Sequence, residues 1–343
     1  MTYNLIEKKG VWYLEITANG KTVLKKVGDK QTGLAVIRKL KDKQPFIMNS
    51  FQDEAKQWLE KYVSKRLRIW TKERYQHALE NKILPVFGSK SIGAIKRSDI
   101  KSFLMEQLDK GQSKSSIELY RTVMSSVFNY AIDDEIITHN PTINILKSLN
   151  LEKDEKNEVC PYTYDETRKF LDICEKKYPA TYPLFITAFQ SGLRLGELLA
   201  LEWNDIDLDN RKIKVSKSYK RGVTSGTKTG KTRYVDISDK LFNVLHAERK
   251  TSQSNYLFIN SKGKRHEQNT IHKHFKRIIK NAGLRDIRFH DIRHTFISLL
   301  ISNGAQIVYV KEQAGHTSIK MTIDTYSKWI PKDNALEINK LNL

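Results

Sequence analysis

Cysteine is scarce, with only Cys160 and Cys174 in 343 residues. They form no C-x-x-C pair, so neither a zinc ribbon nor a disulfide framework is expected, and reduced thiols of a cytoplasmic protein are the default. Acidic residues are in deficit, 39 Asp and Glu against 60 Lys and Arg. No run approaches the ~18 apolar residues of a membrane span, and the stretch from Met1 to Lys9 lacks the apolar core of a secretory signal. Enzyme signatures are missing too, since neither H-E-x-x-H nor G-x-S-x-G occurs. Gly226-Thr227-Lys228-Thr229-Gly230-Lys231-Thr232 imitates a phosphate-binding P-loop. It has three residues between its glycines where that loop needs four, and a strand-like Arg233-Tyr234-Val235-Asp236-Ile237 follows where a helix is required. His290 and His294, at i and i+4, could suit a metal, but Arg293 between them would repel a cation and no third ligand is evident. No metal and no cofactor are expected.

What is present is an ordinary globular composition, 39% hydrophobic and 10% aromatic, with a formal charge of +21. That length suggests two or three domains. A large positive charge spread along a folded chain is the footprint of a polyanion binder. Nucleic acid leads over an anionic membrane, because no basic amphipathic anchor and no lipidation motif is seen. The plainer alternative is a solvated basic surface.

The chain divides by pattern. Val11 to Ile16 and Lys21 to Val27 are rich in β-branched and aromatic residues and flank Asn19-Gly20, a hairpin signal because both turn positions need positive φ. Leu5 to Lys9 could add a third strand, and a helix is expected from Thr32 to about Lys43, before Pro45. Residues 1–45 read as a small basic sheet, either purely structural or a ribbon that reads a DNA groove. Residues 46–150 read as a compact unit of four helices. The first carries Phe51, Ala55, Trp58, Leu59 and Tyr62 on one face. A second runs from about Thr71 to Leu84 and stops at Pro85. The third is capped by Ser98. The fourth is capped by Ser113, carries Ile117, Tyr120, Val123, Met124, Val127, Phe128 and Ala131, and is ended by Asn140-Pro141. Residues 151–158, charged and nearly free of apolar side chains, read as a linker. Residues 159–343 open with a capping box at Thr163 and Glu166 and mix helices with one β-hairpin, Lys212 to Val215 and Thr232 to Ile237.

Four short segments of this last region carry the polar groups of interest. Gly192-Leu193-Arg194-Leu195-Gly196-Glu197 sets an arginine at the mouth of a helix, and the hairpin turn holds Lys228. His290-Asp291-Ile292-Arg293-His294-Thr295 puts His290 and Arg293 on one helix face at i, i+3. Ala314-Gly315-His316 precedes Tyr326 by about ten residues. Read singly, each has a structural explanation: a surface arginine, a solvated lysine, a capping histidine, a packed tyrosine. Their order together resembles the active site of the tyrosine recombinases, the phage-integrase family, over about Val159 to Lys328. The helices before it resemble that family's core-binding domain, and the N-terminal ribbon, with a far less specific match, its arm-binding domain.

The resemblance implies a multi-domain DNA breaking-rejoining fold: a small basic sheet with a helix, an all-α four-helix unit, and a mainly α catalytic domain with a β-hairpin. It implies a site-specific recombinase that integrates and excises a mobile element or prophage through a 3′-phosphotyrosine. Tyr326 is then the nucleophile. Arg194 and Arg293 hold the non-bridging phosphate oxygens with His316, and guanidinium forks suit phosphate. His290 takes the phenol proton and Lys228 protonates the leaving 5′ oxygen. Lys231 lies three residues on, but the family's lysine falls several residues before the second strand. Glu197 is at most a support residue. Implied partners are double-stranded DNA at core and arm sites, three further copies in a tetramer on DNA, a host bending factor and an excisionase. The setting is the bacterial cytoplasm, on the nucleoid, with no membrane. The tail from Ser327 to Leu343, with Trp329, Ile330, Leu336 and Ile338, packs either on a neighbouring protomer or on its own domain. The alternatives are a chromosome-dimer resolvase, an enzyme like a type IB topoisomerase, or a catalytically silent DNA-binding regulator.

Overall fold

The computed structural model describes residues 2–8, 10–18, 21–41, 49–149, 159–227 and 230–331. The Asn19-Gly20 turn, the 151–158 segment, Lys228, and Leu336 and Ile338 of the tail therefore lie outside the described residues. The chain separates into two compact units, Met1–Asp154 and Glu155–Leu343.

The first unit opens with an antiparallel meander of β1 (Thr2–Lys8), β2 (Val11–Ala18) and β3 (Lys21–Gly28). The alternating strands bury Leu14 on one face, which the Lys30–Lys41 helix covers. Gly33 makes that close approach possible: a Cβ there would sit 2.4 Å from Leu5 Cδ2. The helix starts ahead of the expected Thr32 because Asp29 caps it, accepting from the Thr32 N–H at 2.8 Å.

The helices that follow depart from regular 3.6-residue spacing at two points. The Phe51–Trp58 helix, capped by Ser50 and Asp53, runs into a π-turn over Leu59–Val63, where the Ser64 N–H donates to the Leu59 carbonyl. The extra residue rotates the face, so Val63 is fully buried and Tyr62, expected on the core face, is 40% exposed. The second expected helix behaves likewise. Ile69–Ala78 passes into a π-turn over Leu79–Ile83, and the chain stays helical through Leu84–Phe87. Pro85 does not stop it: proline falls in the first turn after the π-turn, where a helix tolerates a missing N–H.

The Arg97–Asp109 helix is capped at Lys96, two residues before the expected Ser98. Asp99 reaches back to accept from the Lys96 N–H at 2.9 Å, and Ser98 lies inside the first turn. Ser113 caps Lys114–Asp133 as expected, and all seven anticipated apolar residues of that helix are buried. This helix ends well before Asn140, near Glu135 at φ +58°. Asn140 instead ties the following loop to the helix, donating to Asn129 Oδ1 at 2.6 Å and accepting from the Thr142 N–H at 2.9 Å.

The second unit is mainly helical around a core in which Phe170, Phe185, Phe275 and Phe289 meet. The Thr163 and Glu166 capping box forms as expected and starts the Tyr164–Lys177 helix. The almost wholly buried Tyr182–Ser191 helix runs through the centre. Three strands pair antiparallel in the order β4 (Ile206–Asp207), β5 (Lys212–Val215), β8 (Arg233–Asp236). The expected two strands are β5 and β8, but they do not form a simple hairpin. A second ribbon, β6 (Lys217–Lys220) and β7 (Val223–Gly226), is inserted between them. It turns at Arg221 and Gly222, both at positive φ. The helices Gln268–Ala282, Asp291–Ser302, Ile307–Ala314 and Ile319–Tyr326 complete the unit. Among the described residues, no helix is long and apolar enough to cross a membrane.

Candidate active site

The site is built on two glycine turns and one buried guanidinium. The Tyr182–Ser191 helix ends at Gly192 in the left-handed region, φ +59°. A Cβ there would lie 2.3 Å from the Phe296 ring, so only glycine fits. The chain then turns into Arg194, which caps the short Leu195–Leu198 helix. The Ile307–Ala314 helix ends the same way at Gly315, φ +67°, and hands the chain to His316. Arg293, 3% exposed, sits between these turns. It donates through Nη1 to the Gly192 carbonyl at 3.0 Å and through Nη2 to the Ala314 carbonyl. One arginine thus spaces the segments that deliver Arg194 and His316. Burial, with Arg194 and Arg233 nearby, pulls the Arg293 pKa down to about 9, so it still carries its charge at neutral pH.

A buried carboxylate organises the other cations. Glu197, 2% exposed, accepts from the Arg194 backbone N–H at 3.1 Å and from Arg194 Nη1 at 2.9 Å. It also accepts from Arg233 Nη2 at 2.7 Å and Nη1 at 3.3 Å. Burial alone would raise its pKa, but the hydrogen bond and charge of Arg233, then of Arg194, outweigh it and hold Glu197 below the ordinary carboxylate value. Arg233 passes under the second turn, and a Cβ on Gly315 would meet its Cδ at 2.7 Å.

Three histidines face the same region. His316 Nδ1 lies 2.8 Å from the hydroxyl of buried Thr322. With Thr322 donating to Nδ1, the imidazole carries its hydrogen on Nε2 as a donor. Burial first, then Arg293 and Arg194, push the His316 pKa down to about 4, so the ring is neutral at pH 7. His290 stands at the start of the Asp291–Ser302 helix, its pKa lowered by burial and by His294, Arg293 and Arg194. Its ring meets that of His294 edge to face, centroids 5.3 Å apart.

Tyr326, 2% exposed, ends the Ile319–Tyr326 helix. Its hydroxyl lies 2.5 Å from His294 Nδ1, and its ring packs near His316 and Trp329, centroids 6.3 and 5.9 Å away. Burial raises the phenol pKa above its usual 10, against the opposing pull of Arg293. Trp329 and Ile330 belong to this same chain's cluster around Phe296 and Tyr326. An open cleft of about 560 Å³ adjoins His316 and is lined by Lys231, Arg233, Tyr309, Lys311 and Thr317.

Of the six residues singled out in the sequence, the fold brings Arg194, His290, Arg293, His316 and Tyr326 to one place, and Lys228 lies outside the described residues. Three contributors escaped the sequence reading. Arg233 looked like an ordinary strand residue, and its pairing with Glu197 is a contact 36 positions apart. His294 was weighed only as a metal ligand, although its spacing from His290 already placed it near the same surface. Thr322 carried no signal. Among the described residues no group of three or more His, Cys, Asp or Glu side chains could hold a metal ion.

Comparison with known proteins gives a consistent result. The description "Phage integrase family" matches residues 162–330, and "Phage integrase, N-terminal SAM-like domain" matches residues 50–108. The ICEBs1 integrase of Bacillus subtilis is 30% identical over 79% of this chain and 77% of its own length. A XerC-like tyrosine recombinase of Caldanaerobacter subterraneus subsp. tengcongensis is 27% identical over 78% of this chain and 75% of its own. Among solved structures, the Tn1549 transposon integrase in complex with a circular intermediate DNA shares the fold with a TM-score of 0.71. It is 22% identical and covers 86% of this chain and 99% of that one. A lambda integrase tetramer bound to a Holliday junction aligns with a TM-score of 0.63 at 18% identity over 96% of this chain and 95% of its own. The chain belongs to the phage integrase family, the tyrosine-type site-specific recombinases that integrate and excise mobile elements.

Proposed function

We propose that this chain cuts and rejoins double-stranded DNA through a 3′-phosphotyrosine on Tyr326. The observation that carries the reading is the convergence of Arg194, Arg293, His316 and Tyr326 around the two glycine turns. Phosphodiester cleavage is slow mainly because charge builds on the non-bridging oxygens. Arg194, whose side chain is one-third exposed, and Arg293 meet that charge, and neutral His316 adds an N–H donor. The phenol proton leaves toward the histidines beside it, His290 in the assignment that the family resemblance implies. Lys228 donates the proton to the departing 5′ oxygen. Rejoining reverses these steps when a 5′-hydroxyl of another strand attacks the phosphotyrosine, with no need for ATP.

The wider reading follows the same family pattern. Residues 1–45 form an arm-type DNA-binding domain, in which Lys25 and Lys26 stand exposed on β3. Residues 46–150 form the core-binding domain, 151–158 the linker and 159–343 the catalytic domain with its tail. The working form is a tetramer on two duplexes in the cytoplasm of a bacterial host, aided by a bending factor and an excisionase. The sheet at residues 2–28 favours an integrase over a resolvase, because resolvases usually lack such a domain.

The test is a nicked suicide substrate resolved on a denaturing gel. Tyr326→Phe should bind DNA as the parent does and yield no covalent adduct. An adduct formed by that variant would remove Tyr326 from its role.

A further inference from the structure

His290 is the residue the family pattern offers as acceptor of the nucleophile's proton, yet the phenol does not face it. The Tyr326 hydroxyl lies 2.5 Å from His294 Nδ1, and among the described residues no hydrogen bond joins it to His290. His294 is one helical turn from His290, edge to face with it, so His290 stands one ring removed from the reacting oxygen. We propose that His294 is a catalytic residue, the immediate proton acceptor of Tyr326. This rests on the reading of Tyr326 as the nucleophile.

The geometry assigns each atom a part. With the phenol donating to Nδ1, the neutral His294 ring carries its own hydrogen on Nε2. As Tyr326 attacks, its O–H bond breaks and the proton passes to Nδ1. The oxygen's electron pair forms the new bond to phosphorus, the bond from phosphorus to the 5′ oxygen breaks, and that oxygen takes its proton from the donor on the other side. In rejoining, His294 returns the proton to the phenolate. The imidazolium formed in between has a fixed counter-charge. Asp291, one turn earlier on the same helix, is ionised and held by Arg288 at 2.9 Å. Burial lowers the His294 pKa, the Asp291 charge opposes it, and Arg288 and Arg293 add to the lowering. The balance leaves His294 neutral at rest, as an acceptor must be, with a carboxylate beside it when it becomes charged.

The experiment measures single-turnover adduct formation by the full-length protein on two suicide substrates. One carries an ordinary scissile phosphate and the other sulfur at the bridging 5′ position. Sulfur leaves without a proton, so it relieves a defect in the proton donor and leaves a defect at the phenol in place. His294→Ala should bind DNA within about twofold of the parent. It should form adduct about 10²–10⁴-fold more slowly on both substrates and regain rate with added imidazole. His294→Gln, which keeps an acceptor oxygen, should lose less. His290→Ala should be the milder of the two alanine variants. A His294→Ala protein that cleaves at the parental rate or faster, or one that sulfur substitution restores, overturns the proposal. Tyr326→Phe runs beside them. If it forms adduct, the reading of the nucleophile fails; if it forms none while His294→Ala is unimpaired, only the role of His294 fails.

Discussion

Replacing Glu197 tests whether one carboxylate holds the cationic half of the site together. The side chain is 2% exposed and accepts four hydrogen bonds from two arginines. Glu197→Ala leaves the Arg233 guanidinium, 13% exposed, facing Arg194 with nothing between them. Removing one partner of a buried ion pair costs about 3–5 kcal/mol, which for a domain of this size is a fall in Tm on the order of 10 °C. Glu197→Gln keeps the shape and one acceptor oxygen but turns an NH2 toward a donor, so a loss of about 2–3 kcal/mol is expected. The sign with pH follows from the depressed pKa. The stabilisation is complete above the ordinary carboxylate value of 4.5 and is lost as pH falls through the lower folded value. Denaturant melts at pH 7 and pH 4 should show the gap between parent and Glu197→Gln narrowing in acid. Adduct formation should drop about 10–100-fold in the glutamine variant, because Arg194 loses its tether. Melts of both variants within 1 kcal/mol of the parent at pH 7 would refute the view that this carboxylate supports the site.

Two more outcomes are expected. Gly315→Ala must adopt φ +67° with a Cβ 2.7 Å from Arg233; it should destabilise by about 2–4 kcal/mol and slow cleavage, read by thermal melts and the suicide-substrate gel. His316, neutral in the folded chain with its pKa near 4 against 6.5 when free, gives stability that is complete above pH 6.5 and declines toward pH 4 as the unfolded chain gains the proton. His316→Gln should flatten that decline by about 1–2 kcal/mol after allowance for solvent screening, measured by urea melts at pH 7 and pH 5.

Local chemistry made much of this molecule legible in its sequence. Thr163 with Glu166, and Ser113, mark helix starts because the cap lies within three residues of what it caps. Alternation in Lys212–Val215 marks a half-buried strand for the same reason. Arg194, His290, Arg293 and His316 could be gathered because each sits beside a glycine turn or at a helix start. Where the reading failed, the cause lay beyond a short window. A π-turn shifts the helix phase without any distinctive residue, so Tyr62 and Val63 exchange roles. β7, exposed along its whole length, shows no alternation and read as a turn. Arg233 and His294 acquire their roles from partners 36 and 32 positions away.

The double tie made by Arg293 has a consequence for how mutants are interpreted. Its Nη1 and Nη2 each give one of their two N–H bonds to a carbonyl, of Gly192 and of Ala314, and keep the other for phosphate. Any replacement at position 293 is therefore confounded: a lost charge and two displaced loops arrive in one phenotype. A lysine there could restore the first and never the second, since a single ammonium cannot bridge both loops in the plane of a guanidinium.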